Sequence, residues 1–401
     1  MMFAEVPQSD GYAQGLSQLV EIERQRGLGQ TFHPRVLDWM DANPHSGPTL
    51  IFDITRIEQR MQWLRGLAGP LSITALMAVK SCPDPLYLGA GMKHLDGFDI
   101  SNSAEYACLP TNLDGKLVSV TSPALNVDIN SFVVKGNTAV VALDSQEQLA
   151  RYFDNMPRIP YLLRVQGSDL LEQVDPAHYA RPRFGFTKDE VREVIQQPQL
   201  RANPPAGFHV HHGSERNTAS TYRSMIKALR SLAHQQAIDP MVINLGGGWH
   251  GVNQEEMGGV LADARRAFPA PCSILLEPGQ WYAKHSGFAV GNIVNQTQSG
   301  DIINYVLDLS RDCHLKWSKV KLIYPTNNRP RRFCEVQFFG ASCYEADLIG
   351  TFMLAYDSDF FRESGLATGG RVVFSNVSPY SAAWNMSFNG IPRAEIAWWD
   401  D

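Results

Sequence analysis

The chain lacks any surplus of positive charge. Across 401 residues, 35 lysines and arginines stand against 41 acids, a net charge of −6, so no basic field exists to hold a phosphate backbone and nucleic acid is not an expected partner. Paired cysteines are also missing. The six thiols, Cys82, Cys108, Cys272, Cys313, Cys334 and Cys343, form no CxxC motif and lie far apart. That suits reduced cysteines in a cytoplasmic protein, and argues against a disulfide framework or a zinc ribbon. No stretch approaches the roughly 18 uninterrupted apolar residues of a membrane span. Residues 1–30 carry Glu5, Asp10, Glu21 and Glu23 instead of a signal-peptide core, and no membrane partner is expected. Low-complexity tracts and short repeats are absent as well. What remains is 44% hydrophobic, enough to bury one large core or two medium ones.

From about residue 71 to 278 one pattern recurs: a short β-branched or aliphatic run, turn residues, then a helical stretch. Eight such runs fall at 72–79, 97–100, 117–121, 138–143, 161–165, 207–211, 241–245 and 273–276, with helices at 214–235 and 254–267. Eight strands alternating with helices predict a closed (β/α)8 barrel of the TIM type. From residue 287 onward the pattern becomes alternating strand-like runs at 289–294, 302–308, 333–339 and 371–374, broken by Gly, Asn and Pro, which reads as a separate β-sandwich or β-barrel domain. The expected organisation is an N-terminal segment 1–47, whose weak strand at 47–52 could join the β domain, a barrel over 48–285, and a β domain over 286–401.

Active sites of such barrels sit where the strands end. Lys80 closes the first run, Asp99 the second, Arg164 lies on the fifth, His209-Val210-His211-His212 closes the sixth, three glycines (Gly246, Gly247, Gly248) the seventh, and Glu277-Pro278-Gly279 the eighth. A lysine terminating an apolar strand loses hydration, which favours the neutral amine and imine chemistry; alternatively it snorkels to solvent. Three glycines allow backbone N–H groups to close on a phosphate, or make a tight turn before a helix. Glu277 could hold the ring nitrogen of a pyridine protonated, or cap the next segment. His209 and His211 share one strand face. They read either as a metal-binding pair or as a single imidazole, His211, stacked on a planar cofactor.

MAVKSCPDP (77–85), GFDISNSAEY (97–106), FHVHHGS (208–214), NLGGGWHG (244–251), LEPGQ (276–280), GASCYEADLIG (340–350) and PYSAAWNMSFNG (379–390), taken together and in this order, resemble the alanine-racemase-like, fold-type III pyridoxal-phosphate decarboxylases. The family includes ornithine, arginine, diaminopimelate and carboxynorspermidine decarboxylases. The resemblance implies pyridoxal 5′-phosphate as cofactor, held by Lys80 as an internal aldimine, with His211 stacked on the pyridine and Glu277 paired to its nitrogen. It further implies Ser214, Gly247, Gly248, Gly279 and Tyr380 as the phosphate cradle and Asp99 and Arg164 as supporting polar groups. It also implies a homodimer in which Cys343 reaches the partner's site and protonates the carbanion left by CO2.

Two positions depart from the family pattern. Its usual EPGR reads EPGQ, so Gln280 replaces a cationic contact with the cofactor, and the acidic residue that follows the cysteine in ornithine decarboxylases is Tyr344. A phenol cannot pair with a distal ammonium, which speaks against ornithine and lysine, and the absence at 280 of the arginine that would grip a far carboxylate speaks against diaminopimelate. The spacing of Cys343, Asp347 and Gly350 and the stretch from Asp308 to His314 resemble carboxynorspermidine decarboxylase, which makes Tyr344, Asp308, His314 and Asp347 candidate substrate contacts. The expected substrate is a small-molecule amino acid with an elongated side chain, from polyamine, siderophore or other specialised biosynthesis. The alternatives are an ornithine/lysine-type or diaminopimelate decarboxylase, a racemase on the same scaffold, which needs a second base opposite the lysine, and a non-catalytic regulatory homologue.

Overall fold

The computed structural model describes residues 34–127, 138–155, 159–171, 183–213, 217–300, 302–323, 333–355 and 366–400. These divide into two compact units, Ile54–Lys284 and a second made from the segments before and after it. The second unit begins with strand β1 (Thr49–Asp53). The first unit is built on β2 (Ile73–Ala78), β3 (Gly97–Ile100), β4 (Leu117–Thr121), β5 (Ala139–Leu143), β6 (Tyr161–Gln166), β7 (Gly207–His211), β8 (Val242–Asn244) and β9 (Ser273–Leu276). Each pairs in parallel with the next, and β9 returns to β2 to close the barrel. These are the eight runs read from sequence. Strands buried on both faces must be apolar throughout; β5, Ala-Val-Val-Ala-Leu, is buried at every position. The helices cover the barrel with one stripe each, as Ile54, Ile57, Met61, Leu64 and Ala68 do in Ile54–Ala68. The helix expected to start at 214 starts at Ala219, because Thr218 caps it and accepts from the Thr221 N–H.

In the second unit, β10 (Gly287–Ser299), β11 (Ile302–Leu307), β12 (Lys321–Ile323), β13 (Phe333–Gly340), β14 (Leu348–Ala355), β15 (Arg371–Ser375) and β16 (Glu395–Trp399) join β1 in one eight-stranded sheet. Strand β1 lies antiparallel to β10 and parallel to β16, so residues 49–53 pair within the β unit and the barrel unit starts at Ile54 rather than at 48. Val36, Ile51, Phe288, Val290, Val373 and Trp399 form a core there. Strands β12, β14 and β16 had no counterpart in the sequence reading. Among the described residues no helix is long and apolar enough to cross a membrane, and Cys82, Cys108, Cys272, Cys313 and Cys343 are free thiols.

Candidate active site

Strand β2 stops at Ala78, and Lys80 stands on the short 3-10 turn Val79–Ser81 that follows. Its Nζ donates to Asp99 Oδ2 on β3 at 2.7 Å, with the Lys80 side chain 41% exposed and that of Asp99 fully buried. The expectation that Lys80 is stripped of water is therefore corrected. A turn position leaves the amine at the barrel mouth, and the group that loses hydration is its partner. Burial, then the charge of Glu277, push the Asp99 carboxyl up to about 8 against the pull of Lys80. Asp99 Oδ1 has no hydrogen-bond partner among the described residues.

Glu277 follows β9 and is 4% exposed. Its Oε1 accepts from Ser119 Oγ at 2.7 Å and Asn244 Nδ2 at 2.5 Å, and its Oε2 faces His209 Nε2 at 3.4 Å. Burial alone would raise its pKa; the hydrogen bond from His209, the charge of Lys80 and the hydrogen bond from Asn244 outweigh burial and hold the carboxyl down at about 2. It is a buried anion. His211, at the end of β7, accepts from the Gly247 N–H through Nδ1 at 3.1 Å, which places any ring proton on Nε2. Burial, followed by the cations Arg164 and Lys80, lowers its pKa to about 3, so it presents a neutral ring.

Between β8 and the next helix, Gly246 and Gly248 adopt φ of 62° and 87°, a left-handed region that favours glycine. A Cβ on Gly247 would stand 2.7 Å from the Glu277 carbonyl, and one on Gly248 2.4 Å from that of Gly213. The turn is braced from behind. Tyr222 Oη donates to the Gly247 carbonyl at 2.6 Å and Trp249 Nε1 to the Gly246 carbonyl at 2.8 Å, and the two rings stack at 3.7 Å. Arg164 is buried, with Nη1 3.2 Å from Asp144 Oδ1 and its guanidinium 4.6 Å over the Phe184 ring. The Gly279 carbonyl accepts from Tyr87 Oη, and Gly279 and Gln280 are half-buried.

Lys80, Asp99, Glu277, His211, Arg164 and the glycine turn are thus all carried at one end of the barrel strands. Ser214, expected in the phosphate cradle, lies outside the described residues. The remaining candidates belong to the β unit. Tyr380 sits in the helix Pro379–Trp384, and Cys343 is exposed with Asn389 Nδ2 3.4 Å from its Sγ. Tyr344 is 53% exposed. Asp308 accepts from the Asn292 N–H and Nδ2, each at 2.7 Å. Asp347 accepts from Ser310 Oγ, the Arg311 N–H and Ser342 Oγ, and His314 bridges the Ser310 N–H and the Pro392 carbonyl. These last three are committed to holding loops of the β unit.

Sequence reading passed over Ser119 and Asn244 around Glu277, Asp144 beside Arg164, and the Tyr222–Trp249 brace. Asn244 stands two residues before the first glycine of the triplet, which was the one available signal. The metal reading of His209 and His211 finds no support in the geometry, since the two imidazoles face different partners. Among the described residues no cluster of three or more His, Cys, Asp or Glu could hold a metal.

A sequence profile of the family described as "Pyridoxal-dependent decarboxylase, pyridoxal binding domain" matches residues 54–284, more than half of the chain and the whole of the barrel unit. The chain belongs to this pyridoxal-dependent decarboxylase family. A diaminopimelate decarboxylase of Deinococcus radiodurans is 26% identical over 152 residues, 35% of this chain and 39% of that protein. The chain therefore aligns with well under two thirds of that relative. Among solved structures, the arginine decarboxylase of Paramecium bursaria Chlorella virus bound to agmatine superposes with a TM-score of 0.74 at 18% identity, covering 91% of this chain and 99% of that one. The carboxynorspermidine decarboxylase of Campylobacter jejuni, complexed with norspermidine, superposes with a TM-score of 0.69 at 17% identity, covering 88% and 93%. At such identity these structures share the fold of a barrel with a second, mostly sheet unit.

The family's cofactor is pyridoxal 5′-phosphate, and the residues of this barrel fit it. An amine stands at the mouth, a buried carboxylate anion suits a protonated pyridine nitrogen, a neutral imidazole suits an aromatic face, and the glycine turn has the side-chain-free, left-handed backbone that suits anion binding.

Proposed function

We propose that the protein removes the α-carboxylate of an amino acid with an elongated side chain, using pyridoxal phosphate bound through Lys80. The observation that carries this reading is the Lys80–Asp99 pair at the mouth of a barrel whose interior holds Glu277 as a clamped anion, in a chain of the pyridoxal-dependent decarboxylase family. Bound there, the cofactor supplies a conjugated ring that accepts the electron pair released when CO2 leaves. The protein does the rest. Lys80 Nζ provides the attachment and Asp99 Oδ2 keeps it aimed. The Glu277 carboxylate would hold a proton on the ring nitrogen. His211 would offer its neutral imidazole to the ring, and the turn at Gly247 and Gly248, with Gly279 and Gln280, would receive the phosphate. Asp144 orients Arg164.

Cys343 Sγ is the proton donor in this reading, delivered from a second copy of the chain. Two copies would then share two sites, and complementation tests it. When inactive Lys80→Ala and Cys343→Ala chains are mixed, random reassortment should restore about a quarter of wild-type sites, because half the dimers are mixed and each carries one intact site. Absence of any recovery would show that each site is built from one chain.

The substrate reading rests on Tyr344. It is exposed on the segment that carries Cys343, and the nearby acids that could replace a missing carboxylate are engaged elsewhere, Asp308 with Asn292, Asp347 with Ser310, Arg311 and Ser342, and Asp312 with Lys316. A longer, less cationic side chain, such as that of carboxynorspermidine or a conjugated diaminoacid, should be preferred over ornithine, lysine, arginine and diaminopimelate. The expected margin in kcat/KM is on the order of ten- to a hundred-fold for one well-placed polar group, read as labelled CO2 released from each substrate. A clear preference for ornithine would overturn the role given to Tyr344, and racemised product without CO2 would overturn the decarboxylase reading itself.

A further inference from the structure

Barrel interiors are ordinarily filled by layers of branched apolar side chains, and a polar group placed there costs free energy unless partners are supplied. Ser119 on β4, His209 on β7 and Asn244 on β8 are each at most 1% exposed, and all three converge on Glu277. His209 and Asn244 are opposite one another in the β7–β8 register. Strand alternation turns His209 to the interior and Phe208 and Val210 to the opposite face. Leucine or valine would fill these positions more cheaply if stability were the end served.

The two oxygens of Glu277 are treated differently. Oε1 receives both the Ser119 hydroxyl and the Asn244 amide, whereas Oε2 has His209 Nε2 at 3.4 Å and no other partner among the described residues. The second ring nitrogen of His209, Nδ1, has no partner among them either. An imidazole with one nitrogen toward a carboxylate and the other toward nothing carries its proton on the nitrogen that meets the carboxylate. Burial, the largest influence on this ring, lowers its pKa against the pull of Glu277 and so favours the neutral form. His211 spends its Nδ1 on the Gly247 N–H, so the two histidines do not share a ligand.

We propose that His209 is a positioning residue for the cofactor: as a neutral Nε2–H donor it steers the oxygen of Glu277 that Ser119 and Asn244 leave open, setting the plane of the carboxylate before the pyridine ring enters. This rests on the pyridoxal-binding reading of Glu277. A bond of 3.4 Å is weak, so its effect is on direction rather than on holding the barrel together.

The test compares His209→Leu with His209→Gln, whose amide N–H can stand in for the ring N–H. Pyridoxal phosphate is titrated into cofactor-stripped protein, and its dissociation constant and visible absorption band are recorded beside the thermal melt of the stripped protein. His209→Leu should weaken cofactor binding about tenfold or more and shift the band, and His209→Gln should return the affinity to within about threefold of wild type. If the leucine variant does not fold, His209→Asn, polar but too short to reach Oε2, takes its place with the same expectation. A folded leucine or asparagine variant with wild-type affinity and band would overturn the proposal, as would a glutamine variant impaired as much as the leucine one. Failure of the wild type to form a band would instead refute the pyridoxal-binding reading, and the role of His209 with it.

Discussion

Lys80→Ala is expected to abolish both the visible band of the bound cofactor and turnover, a loss of at least about a thousandfold in kcat. The other lysines among the described residues of the barrel unit cannot step in. Lys93 is paired with Glu58, Lys116 with the Leu95 carbonyl and Lys284 with the His250 carbonyl. Lys188 and Lys227 lie on covering helices. The variant should still fold, because the group left behind is already poised to be neutral. Burial and Glu277 push Asp99 up to about 8 even with Lys80 in place, and removing the cation moves it further in the same direction. Asp99 then stays in the barrel as an uncharged acid, avoiding the cost of an unpaired buried charge. Absorbance, borohydride trapping and a thermal melt of the purified variant check all three parts. An imine still reducible by borohydride would place the cofactor on another amine.

What could be read in advance divides along a physical line. Barrel strands were legible because burial on both faces requires continuous apolar runs such as Ala139–Leu143. Strand β12 is three residues long, β14 contains Gly350, and β16 is exposed at Glu395 and Ile396. None of these three carries a pattern that local preference would single out. Lys80 stood out as a cation ending an apolar run, and Glu277 as an acid before Pro-Gly. Ser119 and Asn244 did not, since each is an ordinary residue type in an ordinary place. Their role arises when the barrel closes and brings Ser119 to Asn244 across 125 positions of sequence and to Glu277 across 158. His209 was visible as half of a histidine pair, but its partner is a carboxylate 68 positions away rather than the histidine two residues on.

Glu277→Gln is expected to keep the cofactor attached at saturating pyridoxal phosphate, with an affinity lowered at least as far as in His209→Leu, and to lose most of the activity, on the order of a hundredfold or more in kcat. The side chain keeps its size, and Lys80 and the glycine turn are untouched, so attachment survives. Charge and donor count both change. A neutral amide cannot hold a proton on a pyridine nitrogen, which removes the feature that lets the ring accept electrons. Nor can the amide satisfy its own pocket. With its oxygen toward Ser119 and Asn244, its NH2 meets the Nε2–H of His209, so two donors face one another; flipped, the NH2 meets the Asn244 amide instead. His209 could yield by moving its proton to Nδ1, but that nitrogen has no acceptor among the described residues. One unsatisfied buried group costs about 1–3 kcal/mol, so the variant should also melt earlier than wild type. The pairing of a retained band with lost turnover distinguishes this outcome from Lys80→Ala, where both vanish. Undiminished turnover in Glu277→Gln would make Glu277 a structural group and would remove the chemical reason for three buried polar side chains around it.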